Sequence, residues 1–158
     1  EVGQGFKIAL YTLDHGRVSL AAGAVGISQA CLDLSVSYVK QRHQFQKPIG
    51  SFQLIQDMIA EMAVELEAAR MLTYKAIAAR EKGGRFTLEA SMAKYYATEA
   101  ANRNAYRAIQ IHGGYGFFEE YEVERLYRDA RITTLYEGTS QIQKLVIASH
   151  LTGLRAFA

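Results

Sequence analysis

Apolar residues recur along this chain three and four positions apart, the period of helices that bury one face. The clearest run, Leu20, Ala24, Ile27, Cys31, Leu34 and Tyr38, predicts a long helix over about 17–41, roughly 35 Å in length at ~1.5 Å per residue. A shorter helix over 6–12 is expected before it, with a turn through Asp14, His15 and Gly16 between the two. Pro48 and Gly50 interrupt the pattern. Ser51 is then placed to cap a second long helix with the stripe Leu54, Ile55, Met58, Ile59, Met62, Leu66, Ala69, Thr73 and Ala76. Gly83 and Gly84 should end it. A third long helix begins at Thr87, with Glu89 in its first turn, where the helix dipole favours an acid. Its inner face, Ala93, Ala97, Ala100, Asn104, Ala108 and Ile111, is made of small side chains that let a neighbour approach closely. Beyond Gly113-Gly114, a short helix over 123–129 and an extended link lead to a last helix with Ile142, Leu145, Val146 and Ser149 on one face. Strand-like alternation and internal repeats are lacking. The expected fold is all-α, an up-and-down four-helix bundle with short extra helices.

At 158 residues the chain fits one domain able to bury its own core. Its net charge of +2 and scattered basic residues argue against nucleic acid as a partner. No apolar run reads as long enough to span a bilayer and no signal pattern opens the chain, so no membrane partner is expected. The single Cys31 cannot form an internal disulfide and falls inside an apolar helical pattern, as a small core residue would. A reducing compartment fits, prokaryotic cytoplasm ahead of mitochondrial matrix. The glycine-rich opening without an initiator Met reads as residues 1–5 ending a linker from upstream domains.

Chemistry concentrates where helices are interrupted. Ser140 and Gln143 have capping-box spacing, which predicts a helix start near Thr139 and leaves Glu137 on irregular backbone just outside it. Free amides at such a start can hold an anionic or carbonyl group beside the carboxylate. A di-iron bundle site is excluded, because none of His15, His43, His112 or His150 has a carboxylate three residues before it. There is no Cys pair for zinc and no Gly-x-Ser-x-Gly for a serine nucleophile, so no metal is expected. Taken singly, Glu137-Gly138 reads as a turn, Arg42 as a cation at a helix C-terminus, and Gly113, Gly114 and Gly116 as a helix stop that also lets backbone approach a ligand.

Taken in order, these segments resemble the C-terminal domain of the acyl-CoA dehydrogenase family over essentially the whole chain. The carriers are Asp14 to Arg17 followed by Ala21-Ala22-Gly23-Ala24-Val25-Gly26, Arg42-x-x-Phe45 with Lys47-Pro48-Ile49 and Gln53, Gln110 to Gly116, Tyr127 to Arg131, and Tyr136 to Gln141. The resemblance implies that Glu137 is the general base removing the α-proton of an acyl-CoA thioester. A hydride then passes from the β-carbon to FAD, giving the trans-2-enoyl-CoA. Proton abstraction beside a thioester needs a desolvated carboxylate, and the backbone amide of Gly138 would hold the thioester carbonyl as an oxyanion hole does. Asp14, His15, Gly16, Arg17, Tyr136 and Gly138 match substrate-contacting positions. Arg42, His43 and Gln44 match a segment reaching the FAD diphosphate of a partner subunit, and Phe45, Phe52 and Gln53 match flavin contacts nearby. Gln110, Ile111, His112, Gly113 and Gly114 match a loop at the adenine-side diphosphate, and Thr139, Ser140 and Gln141 a further cofactor contact.

Arg128, Asp129 and Arg131 read as structural ion pairing. Gln46 stands where the family commonly has Gly, so the turn there must accept a side chain. Some family members carry the base on an earlier helix and have Gly at the position of Glu137; this chain follows the commoner arrangement. An electron-transferring flavoprotein is the implied electron acceptor, and a homodimer or homotetramer the implied assembly. Two other readings share these residues: an oligomerisation and cofactor-binding module without chemistry, and acyl-CoA oxidase chemistry with oxygen as acceptor.

Overall fold

A computed structural model of the chain describes residues 2–155. Glu1 of the expected linker lies outside the described residues, and Gly5, the last linker position expected, is already helical. Helix α1 runs unbroken over Gly5–Gln41, ~55 Å at 1.5 Å per residue. The expected turn at Asp14-His15-Gly16 is absent. Glycine costs a helix interior about 1 kcal/mol relative to alanine, which made Gly16 look like a break. A Cβ at that position would lie 2.7 Å from both carboxylate oxygens of Glu137, so the bare backbone makes room for a side chain from the far end of the sequence.

An antiparallel ribbon, β1 (His43–Gln44) and β2 (Lys47–Pro48), follows, then a 3-10 turn at Ile49–Ser51. Helix α2 is Gln53–Glu81, α3 Thr87–His112, α4 Val123–Ile132 and α5 Ser140–Thr152, with a second 3-10 turn at Gly113–Phe117. The ribbon was not anticipated, since two-residue strands carry no periodicity. Ser51 does not cap α2: its hydroxyl donates to the Pro48 carbonyl at 2.7 Å, and Phe52 takes the cap position. The link before Glu137 is a series of turns, not an extended strand.

The all-α bundle is as expected, with α3 at its centre. It packs most extensively on α1, then on α2, and carries α4 and α5 on its remaining sides. The expected inner face of α3 is buried throughout. On α1 the most buried line runs beside the predicted stripe, through Ala21, Ala24, Ser28, Cys31 and Ser35, leaving Leu20, Ile27, Leu34 and Tyr38 half-buried at its edge. Small residues on both helices bring the backbones together, and enlarging one would overpack the seam at a cost of about 1–3 kcal/mol. Cys31 is fully buried; burial first, and the Glu122 carboxylate second, push its thiol up to about 12, so it is a core residue.

By length and composition alone α1 could cross a membrane, contrary to the expectation that no apolar run was long enough. Its buried side carries the Asp14–Arg17 ion pair and packs on α3. Of the residues read as structural ion pairing, Arg128 pairs with Glu124 and Asp129 with Arg125, while Arg131 donates to the Thr134 hydroxyl.

Candidate active site

The loop before α5 is held by a cap one residue earlier than the spacing suggested. Thr139 is the N-cap, its hydroxyl accepting from the Ile142 amide at 3.3 Å. Ser140 is already helical, and its hydroxyl donates to Glu99 at 2.5 Å. Gln143 does not close a capping box; its amide donates to the carbonyls of Glu137 and Gly138, each at 3.0 Å. Both carbonyls face the helix start because the loop turns left-handed, with φ of 59° at Glu137 and 90° at Gly138. Glycine suits position 138: a side chain would be strained at that φ, and a Cβ would stand 2.7 Å from the Gln143 amide nitrogen that clamps the loop.

Glu137 thereby lays its carboxylate on Gly16, and one of its oxygens, Oε2, is buried with no hydrogen-bond partner among the described residues. Beneath it, Arg17 donates from Nε to the Glu137 carbonyl at 3.2 Å and pairs with Asp14 at 2.9 Å. Thr87 donates to the other Asp14 oxygen at 2.6 Å, and Arg85 donates to Thr87 at 3.2 Å. Asp14 and Arg17 are both buried, so of the expected substrate-contacting segment these two brace the loop from inside. His15 is half-buried between the rings of Tyr11 and Phe86 and bonded to the Tyr11 carbonyl. Tyr136 is partly exposed at the edge of the loop.

At the other end of α1, Arg42 terminates the helix and its guanidinium stacks over the Tyr115 ring, 5.3 Å from the centroid. The hairpin tip places Phe45 and Gln46 at φ of 51° and 62°, the double left-handed conformation of a tight ribbon turn; Gln46 does occupy a position suited to Gly. Phe45 projects almost fully exposed, with its edge toward Phe52. Between this ribbon and the Gly113 turn lies a cavity of about 550 Å³ that gathers Arg42, Gln44, Ile111, His112, Gly113 and Gly114 from the expected cofactor set, with Tyr38, Ile49, Tyr115 and Phe118. Gln44, Phe52 and Gln53 line an adjoining shallow cavity, and His43 and Gln110 are exposed at the surface.

The His112 ring stacks on Tyr38 at 4.1 Å, with Nδ1 2.8 Å from the Ala108 carbonyl. Burial holds it below the usual histidine range, partly offset by that carbonyl, so it is neutral at pH 7 with Nε2 as acceptor. One guanidinium, two bare glycines and no carboxylate in the lining suit a diphosphate group.

The two clusters are well apart. Gly16 and Arg42 stand 26 residues apart on one helix (42 − 16), roughly 39 Å. Thr139, Ser140 and Gln141 belong to the Glu137 end; Ser140 and Gln141 line a small cavity of about 280 Å³ with Glu99 and Arg131.

Lys94 escaped the sequence reading. It is fully buried, and its ammonium donates to the Gly138 carbonyl at 2.8 Å. The signal was present: it is the single charge on the otherwise small, buried face Ala90, Ser91, Ala93, Ala97, Thr98 and Ala101 of α3.

Residues 3–152 match the family model described as acyl-CoA dehydrogenase, C-terminal domain. The chain is 52% identical over 151 residues to the mitochondrial short-chain specific acyl-CoA dehydrogenase of Rattus norvegicus, covering 96% of this chain and 37% of that protein. It is 50% identical to the caffeyl-CoA reductase–Etf complex subunit CarC of Acetobacterium woodii, covering 96% and 40%. Among solved structures, butyryl-CoA dehydrogenase from Megasphaera elsdenii superposes with a TM-score of 0.94 at 49% identity, covering 96% of this chain and 39% of that one. The chain thus spans about 40% of the length of the curated relatives it matches.

Proposed function

Because the chain belongs to the acyl-CoA dehydrogenase family, as its C-terminal helical domain, we propose that it supplies the general base of an FAD-dependent enzyme acting on an acyl-CoA. The observation that carries the reading is the Glu137 carboxylate: one oxygen is buried without a partner, and the group rests on a glycine whose side chain it replaces. A buried carboxylate oxygen left without a donor is costly unless a ligand uses it. In this reading Glu137 takes the α-proton of the thioester while the Gly138 amide donates to the thioester carbonyl, where negative charge gathers. A bound FAD would supply the acceptor for the hydride that leaves the β-carbon. Protonated, Glu137 can return its proton to an enoyl thioester, the direction named for the caffeyl-CoA reductase relative.

Arg42 and the Gly113-Gly114 turn would hold the diphosphate, with His112 lining the cavity beside them. Since that cavity lies at the far end of α1 from Glu137, the cofactor it holds serves the base of a second subunit, which makes a dimer or tetramer the working unit. Large apolar side chains exposed on the first turns of α1, Phe6, Ile8 and Tyr11, suit packing against further domains of a longer protein. An electron-transferring flavoprotein as acceptor is supported by the complex named for the Acetobacterium relative. Relatives occur in bacteria and in mitochondria, and we place this protein in a bacterial cytoplasm or a mitochondrial matrix.

The test is Glu137→Gln in the intact FAD-loaded protein, followed by exchange of the α-protons of butyryl-CoA with D2O. The expected result is lost exchange with FAD retained; exchange at the unaltered rate would remove Glu137 from the role.

A further inference from the structure

Among the described residues, Lys94 is the bulkiest side chain that is fully buried. Packing does not explain it, because its neighbours along the face are small, and a buried ammonium loses its hydration. Its Nζ instead reaches a single carbonyl, that of Gly138. The two consecutive carbonyls of the base loop accept four donations: Arg17 and Gln143 on Glu137, Lys94 and Gln143 on Gly138. In a trans peptide the N–H points opposite to the C=O. With its carbonyl turned to Arg17 and Gln143, the Glu137–Gly138 peptide aims the Gly138 N–H the other way, where it has no partner among the described residues.

We propose that Lys94 is the positioning residue of this loop: its ammonium, fixed on the Gly138 carbonyl, locks the left-handed Glu137–Gly138 turn and so presents carboxylate and amide together to the thioester. The proposal rests on reading Glu137 as the base. A cation donating to a peptide carbonyl also polarises that peptide and orders the loop before substrate arrives.

The charge on Lys94 is poised. Burial, and next the Arg17 guanidinium, lower its pKa from 10.5 to about 8, while Glu99 and Glu137 act in the opposite direction. These are the charged groups that act on it from α1, from α3 itself and from the loop, with Asp14 behind Arg17 and neutral Gln143 and Ser140 contributed by α5. Below about pH 8 the ammonium is present; above it the charge is lost, the hold on Gly138 weakens, and α-proton removal slows.

The experiment uses the intact FAD-loaded protein with butyryl-CoA and measures α-proton exchange from about pH 6.5 to 9.5 for the unaltered protein, Lys94→Met, Lys94→Arg and Glu137→Gln. The expected results are an alkaline decline in the unaltered protein, exchange about tenfold or more slower in Lys94→Met without that decline, and, in Lys94→Arg, exchange restored and flat at high pH. Flavin binding and butyryl-CoA affinity should stay within about threefold in Lys94→Met, a separation that general loss of packing would not give. Exchange in Lys94→Met equal to the unaltered protein at every pH overturns the proposal. Should Lys94→Met not fold, an unaltered protein with no alkaline decline overturns it equally. Lost exchange in Glu137→Gln beside normal exchange in Lys94→Met rejects Lys94 alone, whereas persistent exchange in Glu137→Gln rejects the base and the proposal with it.

Discussion

Gly16 and Arg42 lie on one helix, yet the surfaces around them are built differently. Around Gly16 the supporting groups bond within the chain: Asp14, Arg17, Thr87, Lys94 and Gln143 form a buried network whose bonds converge on the backbone of Glu137 and Gly138. What is left for a ligand is the Glu137 carboxylate and one amide. Around Arg42 the pattern reverses, with an exposed ribbon, an exposed Phe45 and an open cavity floored by glycines. The first surface is prearranged for a reaction that needs fixed geometry. The second is an open surface, which the proposed function reads as a receptor completed by a second subunit.

Gly16→Ala should break the contrast most sharply. Alanine suits the helix, so stability should hold or rise by up to about 1 kcal/mol. The new methyl displaces the carboxylate, and turnover should fall by about 100-fold, since a 1 Å misplacement costs that much. Thermal unfolding beside butyryl-CoA-driven flavin reduction checks both halves; full activity in Gly16→Ala would mean the carboxylate does not react from this pose. Arg42→Ala should instead weaken FAD retention by roughly tenfold while leaving the Glu137 network intact, read by flavin released on dilution and by α-proton exchange in protein resaturated with FAD. Equal damage to exchange after resaturation would argue against two separable ends. The smallest effect is expected for Gln46→Gly. Relief of a left-handed side chain, offset by added freedom in the unfolded chain, should stabilise by under about 1 kcal/mol in chemical denaturation.

Sequence alone exposed much of this because most of the fold obeys local rules. The alanine face of α3, the double glycine after α2 and the stop at Gly113 all follow from helix period and capping. Gly16 misled for the same reason: local rules count a glycine as a break, and its use is a contact 121 residues away (137 − 16). Gln143 was legible as a capping residue and became a clamp once the loop turned left-handed, which φ decides and composition does not. Lys94 stood out as a charge on a buried stripe, but its partner is a backbone carbonyl, which carries no sequence signature. Family resemblance grouped Asp14 and Arg17 with the substrate contacts; in the structure both are buried, Arg17 bonded to the Glu137 carbonyl and paired with Asp14.

The most direct measurement is the anaerobic visible spectrum of the intact FAD-loaded protein during addition of butyryl-CoA, for the unaltered chain and for Glu137→Gln. The account predicts bleaching of the oxidised flavin band in the first and a persistent band, with flavin still bound, in the second. Bleaching of Glu137→Gln at the unaltered rate would contradict it.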